Sequence, residues 1–143
     1  LGIEVELKNL EWGVYLDAVR TGQYDIARAG WIGDYPDPNT FLDMFVTDRP
    51  TNQTGWSDSK YDELIEAAAA ESDSTVRLDI LRRAEQILMD QQPIMPIYFY
   101  VSLNMVRPYV ENFYANIQDV HPLLILQINP AHMHDNLPRR GLQ

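Results

Sequence analysis

The first thirty residues predict an α/β fold, because they switch from strand periodicity to helix periodicity and back. Residues 3–7 alternate apolar and charged side chains, which is typical of a half-buried strand. Apolar residues then recur at helical spacing, at Trp12, Tyr15, Leu16 and Val19. Gly22 is expected to end this helix. Residues 24–31 alternate again as a second strand. Strand, helix and strand with short links predict a βαβ unit with parallel strands and a right-handed crossover.

A helical layer is predicted next. Asp37 is expected to cap a short helix that has Pro38 at its first position. Turn-forming residues over 47–59 predict a surface loop. Two longer amphipathic helices should then cover the sheet, over about 60–70 and about 75–91, each preceded by Asp or Ser as an N-cap.

Further strands are predicted after the prolines that close the helical layer. Residues 97–101 form a β-branched and aromatic run without polar alternation, which predicts a buried strand in which Tyr98, Phe99 and Tyr100 pack in the core. A short strand is expected within 104–110. The apolar run 123–126 is the last clear signal, and residues 130–143 should be loosely ordered.

Composition narrows the classes of function. The 143 residues carry a formal net charge of -10, which argues against a nucleic-acid partner because polyanion binding depends on a basic surface. The chain has no cysteine, which excludes disulfides and a thiol nucleophile. No apolar run approaches the roughly 20 residues that a membrane-spanning helix needs.

The stretch 27–38 has the character of a ligand-facing turn. Gly30 allows close approach of another backbone, while the prolines at 36 and 38 stop a strand from continuing. Trp31 and Asp34 lie between them as a large apolar plate and a fixed charge. In open parallel sheets ligands bind beyond the carboxyl ends of the strands, which is where this turn would fall.

Each of these residues also has a purely structural interpretation. Asp34 could cap a turn, Trp31 could be a core side chain, and Arg28 could form an internal ion pair. Asp37 is interpreted as a helix cap rather than a ligand group. The tail sequence His132-Met133-His134-Asp135 offers metal-ligand types without further ligands nearby, so we predict no metal site. We predict no catalytic residues and no cofactor.

Residues 28–38 carry the pattern Arg-Ala-Gly-Trp-x-x-Asp-Tyr-x-x-Pro. This pattern closely resembles a segment of the extracytoplasmic solute-binding proteins of peptide ABC importers, the oligopeptide- and dipeptide-binding family (family 5). The similarity extends to other short motifs, among them Glu11-Trp12, Tyr61-Asp62, Ala84-Glu85 and Pro93-Ile94-Met95-Pro96. It implies that residues 1–115 are part of the C-terminal lobe of a two-lobed, type II-like periplasmic binding protein. Residues 116–143 match poorly, and a return toward the other lobe is one interpretation of them.

The resemblance also implies a ligand and a set of contacts. Asp34 would pair with the α-amino group of a bound short peptide, and Gly30 and Ile32 would give main-chain hydrogen bonds. Trp31 would wall a side-chain pocket, and Arg28 would meet a peptide carboxylate. The implied partners are the peptide and a membrane ABC permease, and the implied location is the periplasm or the cell surface.

Two alternatives stay open. The same scaffold in the resembling family also carries nickel complexes, sugars or opines, so the scaffold alone does not fix the ligand. A self-standing hydrolase or structural domain is the alternative of another class. Because a piece of one lobe exposes apolar surface, self-association of the chain, as a dimer for example, is a further expectation.

Overall fold

The computed structural model describes residues 2–132, which form two compact units, residues 2–96 and residues 97–132. The predicted loose end beyond residue 132 lies outside the described residues. In the described part of the chain, no helix is both long enough and apolar enough to cross a membrane.

The first unit is helical. Helix α1 spans Trp12–Arg20, α2 spans Asn39–Leu42, α3 spans Ser59–Ala70 and α4 spans Ser74–Gln91, and a single 3-10 turn at Asp43–Phe45 continues α2. The predicted helices are thus confirmed, with bounds that differ by a residue or two.

Acidic side chains cap the N-termini of α1, α3 and α4. The Glu11 carboxylate accepts the N–H groups of Gly13 and Val14 at the start of α1. Asp58 accepts the N–H of Tyr61, and Asp73 accepts those of Thr75 and Val76. Each cap satisfies amide donors that a helix cannot pair internally, which explains why these helices begin where they do.

One apolar core joins α2, α3 and α4. Tyr61 is fully buried in it and donates its hydroxyl to the Leu42 carbonyl at 2.5 Å. The remaining buried members are Leu42, Phe45, Leu64, Ile65, Ala68, Leu81, Ala84 and Leu88. The two long helices therefore pack against each other and hold the short helix α2 against their surface.

The predicted surface loop is organised by one side chain. The Asn52 amide nitrogen donates to the carbonyls of Phe45, Val46 and Trp56, at 3.0, 3.3 and 2.9 Å. The Trp56 indole in turn donates to Gln91 on α4 at 2.8 Å. The loop between the 3-10 turn and α3 is thus fixed to the helical core.

The two strands predicted for the βαβ unit, over 3–7 and 24–31, do not form in the described residues. Ile3, Val5 and Leu7 are exposed instead of half-buried. A strand is stabilised by a neighbouring strand and by burial of one face. No described segment pairs with either stretch, so the alternating pattern has nothing to pack on.

The buried strand predicted over 97–101 is also not formed, and Phe99 is 97 % exposed. The second unit instead holds one antiparallel pair, β1 (Val110–Glu111) with β2 (Gln127–Ile128). Single 3-10 turns lie at Leu123–Ile125 and Pro130–His132. Only Val110, at the end of the predicted 104–110 strand, is in a ladder.

Candidate functional site

The stretch that the sequence singles out lies between α1 and α2 and is neither helix nor strand over residues 27–33. Two tyrosines connect its N-terminal part to the rest of the unit. The Tyr15 hydroxyl, from α1, donates to the Arg28 carbonyl at 2.7 Å. The Tyr24 hydroxyl donates to the Gln53 carbonyl at 2.5 Å. The segment is therefore attached to α1, and the chain just before it, at Tyr24, is attached to the 46–58 loop.

The five predicted ligand residues lie on the surface of this stretch. Arg28, Gly30 and Asp34 are exposed, and Ile32 is 64 % exposed. Trp31 is 41 % exposed, so it is not a member of the apolar core. Gly33, between them, is buried. The structure thus places the candidate residues together in one accessible segment.

The main chain of Gly30, Trp31 and Ile32 makes no hydrogen bond to any other residue that the structure describes. A side chain at Gly30 would also meet nothing within 4 Å. Packing within the described chain therefore does not require glycine at this position. Strand-like addition of a peptide uses exposed, unpaired backbone groups of a sheet edge, and residues 30–32 offer such groups on an irregular segment.

Asp34 is held through its backbone. Its N–H donates to the Thr40 hydroxyl oxygen at 3.0 Å, and Thr40 itself is 1 % exposed. The Asp37 N–H donates to the Tyr35 carbonyl at 2.9 Å, which closes the turn between them. The exposed Asp34 side chain thus projects from a turn whose main chain is anchored to α2.

Asp37 has a second role that the sequence did not predict. Its carboxylate accepts the Asn39 N–H at 2.9 Å, but α2 begins at Asn39 and its N-cap position is Pro38, so the predicted places of Asp37 as N-cap and Pro38 as first helical residue lie one residue too early. It also forms a two-point pair with Arg77, with nitrogen to oxygen distances of 2.6 and 2.9 Å. The hydrogen bond from Arg77 lowers the pKa of the Asp37 carboxyl below its ordinary value. The two residues are forty positions apart, so no local pattern indicates the pair.

The second unit contains a polar cluster that the sequence also did not predict. The Ser102 hydroxyl donates to the Asp119 carboxylate at 2.8 Å, and the His121 Nε2 lies 2.9 Å from the same oxygen. These hydrogen bonds, that of Ser102 first, lower the pKa of Asp119. Because Ser102 is bonded to the carboxylate and not to the imidazole, the cluster does not have the serine-to-histidine contact of a hydrolytic triad.

A cavity of about 300 Å³ borders this cluster and includes Phe113 and Asn104 in its wall. The Phe113 ring stacks on His121 with ring centres 4.2 Å apart. Within residues 2–132 no group of three His, Asp or Glu side chains is arranged to hold a metal ion. Residues His134 and Asp135 of the tail motif lie outside the described residues.

Comparison with solved structures defines the class of the protein. The chain is similar to the oligopeptide-binding protein OppA of Haemophilus influenzae in complex with RPPGFSPFR, with a TM-score of 0.77 and 35 % identity over 88 % of this chain and 25 % of that one. The structure thus belongs to the α/β two-lobed periplasmic binding proteins.

Sequence comparison gives the family. Residues 1–53 match the model of the middle part of the bacterial extracellular solute-binding proteins, family 5. The chain is 43 % identical to the oligopeptide-binding protein OppA of Bacillus subtilis over 71 % of this chain and 19 % of that protein. It is 35 % identical to a probable deoxycholate-binding periplasmic protein, YgiS, of Escherichia coli over 79 % of this chain and 21 % of that protein. The chain belongs to this family, and it spans about a fifth of the length of these relatives.

Proposed function

We propose that the protein is the substrate-binding component of an ABC importer and that it binds short peptides in a cleft between two lobes. The observation that carries this proposal is that residues 30–34 form an exposed segment. Its backbone makes no hydrogen bond to the described residues over 30–32, and the charged residue that ends it belongs to an anchored turn. The segment lies in a chain whose relatives include peptide-binding proteins.

In this proposal the main chain of Gly30 and Ile32 pairs with an extended peptide, which fixes the peptide backbone without reading its side chains. Trp31 covers one peptide side chain with its exposed face. Arg28 is suited to a carboxylate because its guanidinium is planar and always charged.

Asp34 is proposed to pair with the α-ammonium group of the peptide. A cleft that closes on its ligand excludes water, so a buried ammonium needs a fixed anion. The main chain of Asp34 is already held by Thr40, which limits the ordering cost of forming that pair.

Closure of the two lobes on the peptide would be a hinge transition in which the ligand stabilises the closed state. The closed complex would then deliver the peptide to a membrane permease. No catalytic step is part of this function. We further propose a periplasmic or cell-surface location, as the name of the family implies.

A non-peptide solute is the second candidate. The similarity to a probable deoxycholate-binding protein shows that close relatives within the family are named for a different cargo. In that case Trp31 and Ile32, which are both exposed, would contact an apolar ligand face, and Asp34 would have no ammonium to neutralise.

Calorimetric titration of the full-length protein with trialanine, and separately with deoxycholate, tests the proposal. We expect saturable binding of trialanine and none of deoxycholate. Binding of deoxycholate alone would favour the second candidate. Binding of neither would overturn the peptide function for this protein.

A further inference from the structure

The turn that presents Asp34 is anchored by two residues outside the predicted site. Thr40 is the first of them. It lies on α2, and it is the one polar residue among the fully buried residues of the described chain. Its hydroxyl oxygen accepts the Asp34 N–H at 3.0 Å. Because a buried hydroxyl without a partner is costly, this contact favours one position of the Asp34 backbone over others.

Arg77 is the second. It lies in the first turn of α4, and its Nε donates to the carbonyl of Ala68 near the end of α3 at 3.1 Å. Its two terminal nitrogens form the pair with Asp37. One guanidinium therefore connects both long helices to Asp37, two residues before α2. Two donors in a fixed planar geometry restrict Asp37 more tightly than a single charge would, and the third donor ties the same guanidinium to α3.

Asp37 transmits this restraint in both directions along the chain. Its carboxylate accepts the Asn39 N–H at the start of α2, and its own N–H donates to the Tyr35 carbonyl. Residues 34–40 are thus closed by contacts at their two ends and at their centre. The long helices fix the centre, and α2 fixes the Asp34 end.

We propose that Thr40 and Arg77 are positioning residues, which set the place of Asp34 for a ligand without touching the ligand themselves. This inference deepens the proposed function and depends on it for its biological meaning. A merely structural role would have a different signature: loss of either side chain would weaken the whole helical unit rather than the 34–40 turn.

The test compares amide hydrogen exchange at Asp34 in variants of the full-length protein without ligand, by NMR on protein labelled at its Asp residues. Thr40→Val keeps the shape of the side chain and removes the acceptor, and Thr40→Ser restores the acceptor. We expect Thr40→Val to speed exchange of the Asp34 amide by about tenfold or more, since the N–H loses its partner. Thr40→Ser should stay within about threefold of the original protein.

Arg77→Lys keeps the positive charge and removes the planar pair of terminal nitrogens that contacts Asp37. We expect it to speed exchange at Asp34 by about fivefold, while the Asp79 and Asp90 amides on α4 change less than twofold. Arg82→Lys is the matched control, because Arg82 forms an exposed pair with Asp79 on the same helix. It should leave the Asp34 amide unchanged.

Unchanged exchange at Asp34 in Thr40→Val, or equal acceleration at Asp34 and along α4 in Arg77→Lys, would overturn the assignment of the corresponding residue. Titration with trialanine separates this result from the proposed function. If the exchange pattern is as expected and Thr40→Val weakens peptide binding while Thr40→Ser does not, positioning of a ligand contact is supported. If the exchange pattern is as expected but no peptide binds the original protein, the restraint on Asp34 stands and the peptide function fails.

Discussion

Tyr61 occupies the centre of the helical core, and its hydroxyl donates to the Leu42 carbonyl at 2.5 Å with no exposure to water. We predict that Tyr61→Phe lowers the free energy of unfolding by about 1–2 kcal/mol, because a buried carbonyl loses its donor. Urea unfolding measures this loss. Tyr24→Phe is the control, since Tyr24 is only half-buried and water can replace its hydroxyl at the Gln53 carbonyl. It should lower the free energy of unfolding by less than Tyr61→Phe does, and equal losses would contradict the prediction.

The same residue predicts a dependence of stability on alkaline pH. Burial, followed by the nearby carboxylates of Asp43, Asp62 and Glu85, raises the pKa of Tyr61 above its ordinary value. The unfolded chain therefore loses this proton at lower pH than the folded chain does. The contribution of Tyr61 to the free energy of unfolding is therefore fully present below about pH 10. It is lost as the pH rises above that value, by about 1.4 kcal/mol per pH unit.

Urea unfolding at about pH 9, 10 and 11 checks this expectation. The free energy of unfolding of the original protein should fall more steeply with pH than that of Tyr61→Phe, which lacks the titrating group. Parallel curves for the two proteins would contradict the prediction.

At the residue scale, the sequence predicted which side chains are presented on the surface but not what holds them. Arg28 to Asp34 were predicted from local chemistry and from a family pattern, and they do lie together on an exposed segment. Their ligand contacts stay predictions. The pair between Arg77 and Asp37 was not predicted, because a contact across forty positions depends on how α2, α3 and α4 pack.

Helices were the elements that the sequence predicted best. Their caps, periodicity and stop signals are local, so the caps of α3 and α4 could be narrowed to an Asp or the Ser after it, and the structure has Asp58 and Asp73 in these positions. Strands 3–7, 24–31 and 97–101 were predicted from equally local patterns but do not form in the described residues. A strand depends on a partner segment, and this chain spans only about a fifth of the length of its relative from Bacillus subtilis.

Helix α4 ends in a conformation that its residue does not favour. Gln92 has φ of 53° and ψ of 44°, and its N–H donates to the Leu88 carbonyl. Glycine adopts this left-handed geometry without a steric penalty, so we predict that Gln92→Gly raises the free energy of unfolding by about 0.5–1 kcal/mol.

Gln86→Gly is the control for that substitution, since Gln86 is an exposed residue inside the same helix. There glycine should lower the free energy of unfolding by about 1 kcal/mol. Thermal unfolding of both variants measures the two shifts. Destabilisation by Gln92→Gly would show that the left-handed end of α4 does not control its stability.

At the scale of the whole molecule, exposed apolar residues are the main feature of the second unit. Phe99, Leu103 and Met105 are almost fully exposed within ten residues of one another. We therefore predict that the isolated chain self-associates, because patches of this kind are rarely left in contact with water. Light scattering over a range of protein concentrations measures this self-association.

Replacing those three side chains by serine should shift the isolated chain toward the monomer. Serine at Glu4, Glu6 and Lys8, which are also exposed, is the control and should have no such effect. A chain that stays monomeric at high concentration without any substitution would contradict the prediction.

We propose that Asp34 recognises the α-ammonium group of a peptide. The most direct test is a calorimetric cycle on the full-length protein, with Asp34 or Asp34→Asn and with trialanine whose N-terminus is free or acetylated. We predict that either change alone costs about 2–5 kcal/mol of binding free energy, and that both together cost little more than one. If acetylation costs the same whether Asp34 or Asn is present, Asp34 does not contact the peptide amine.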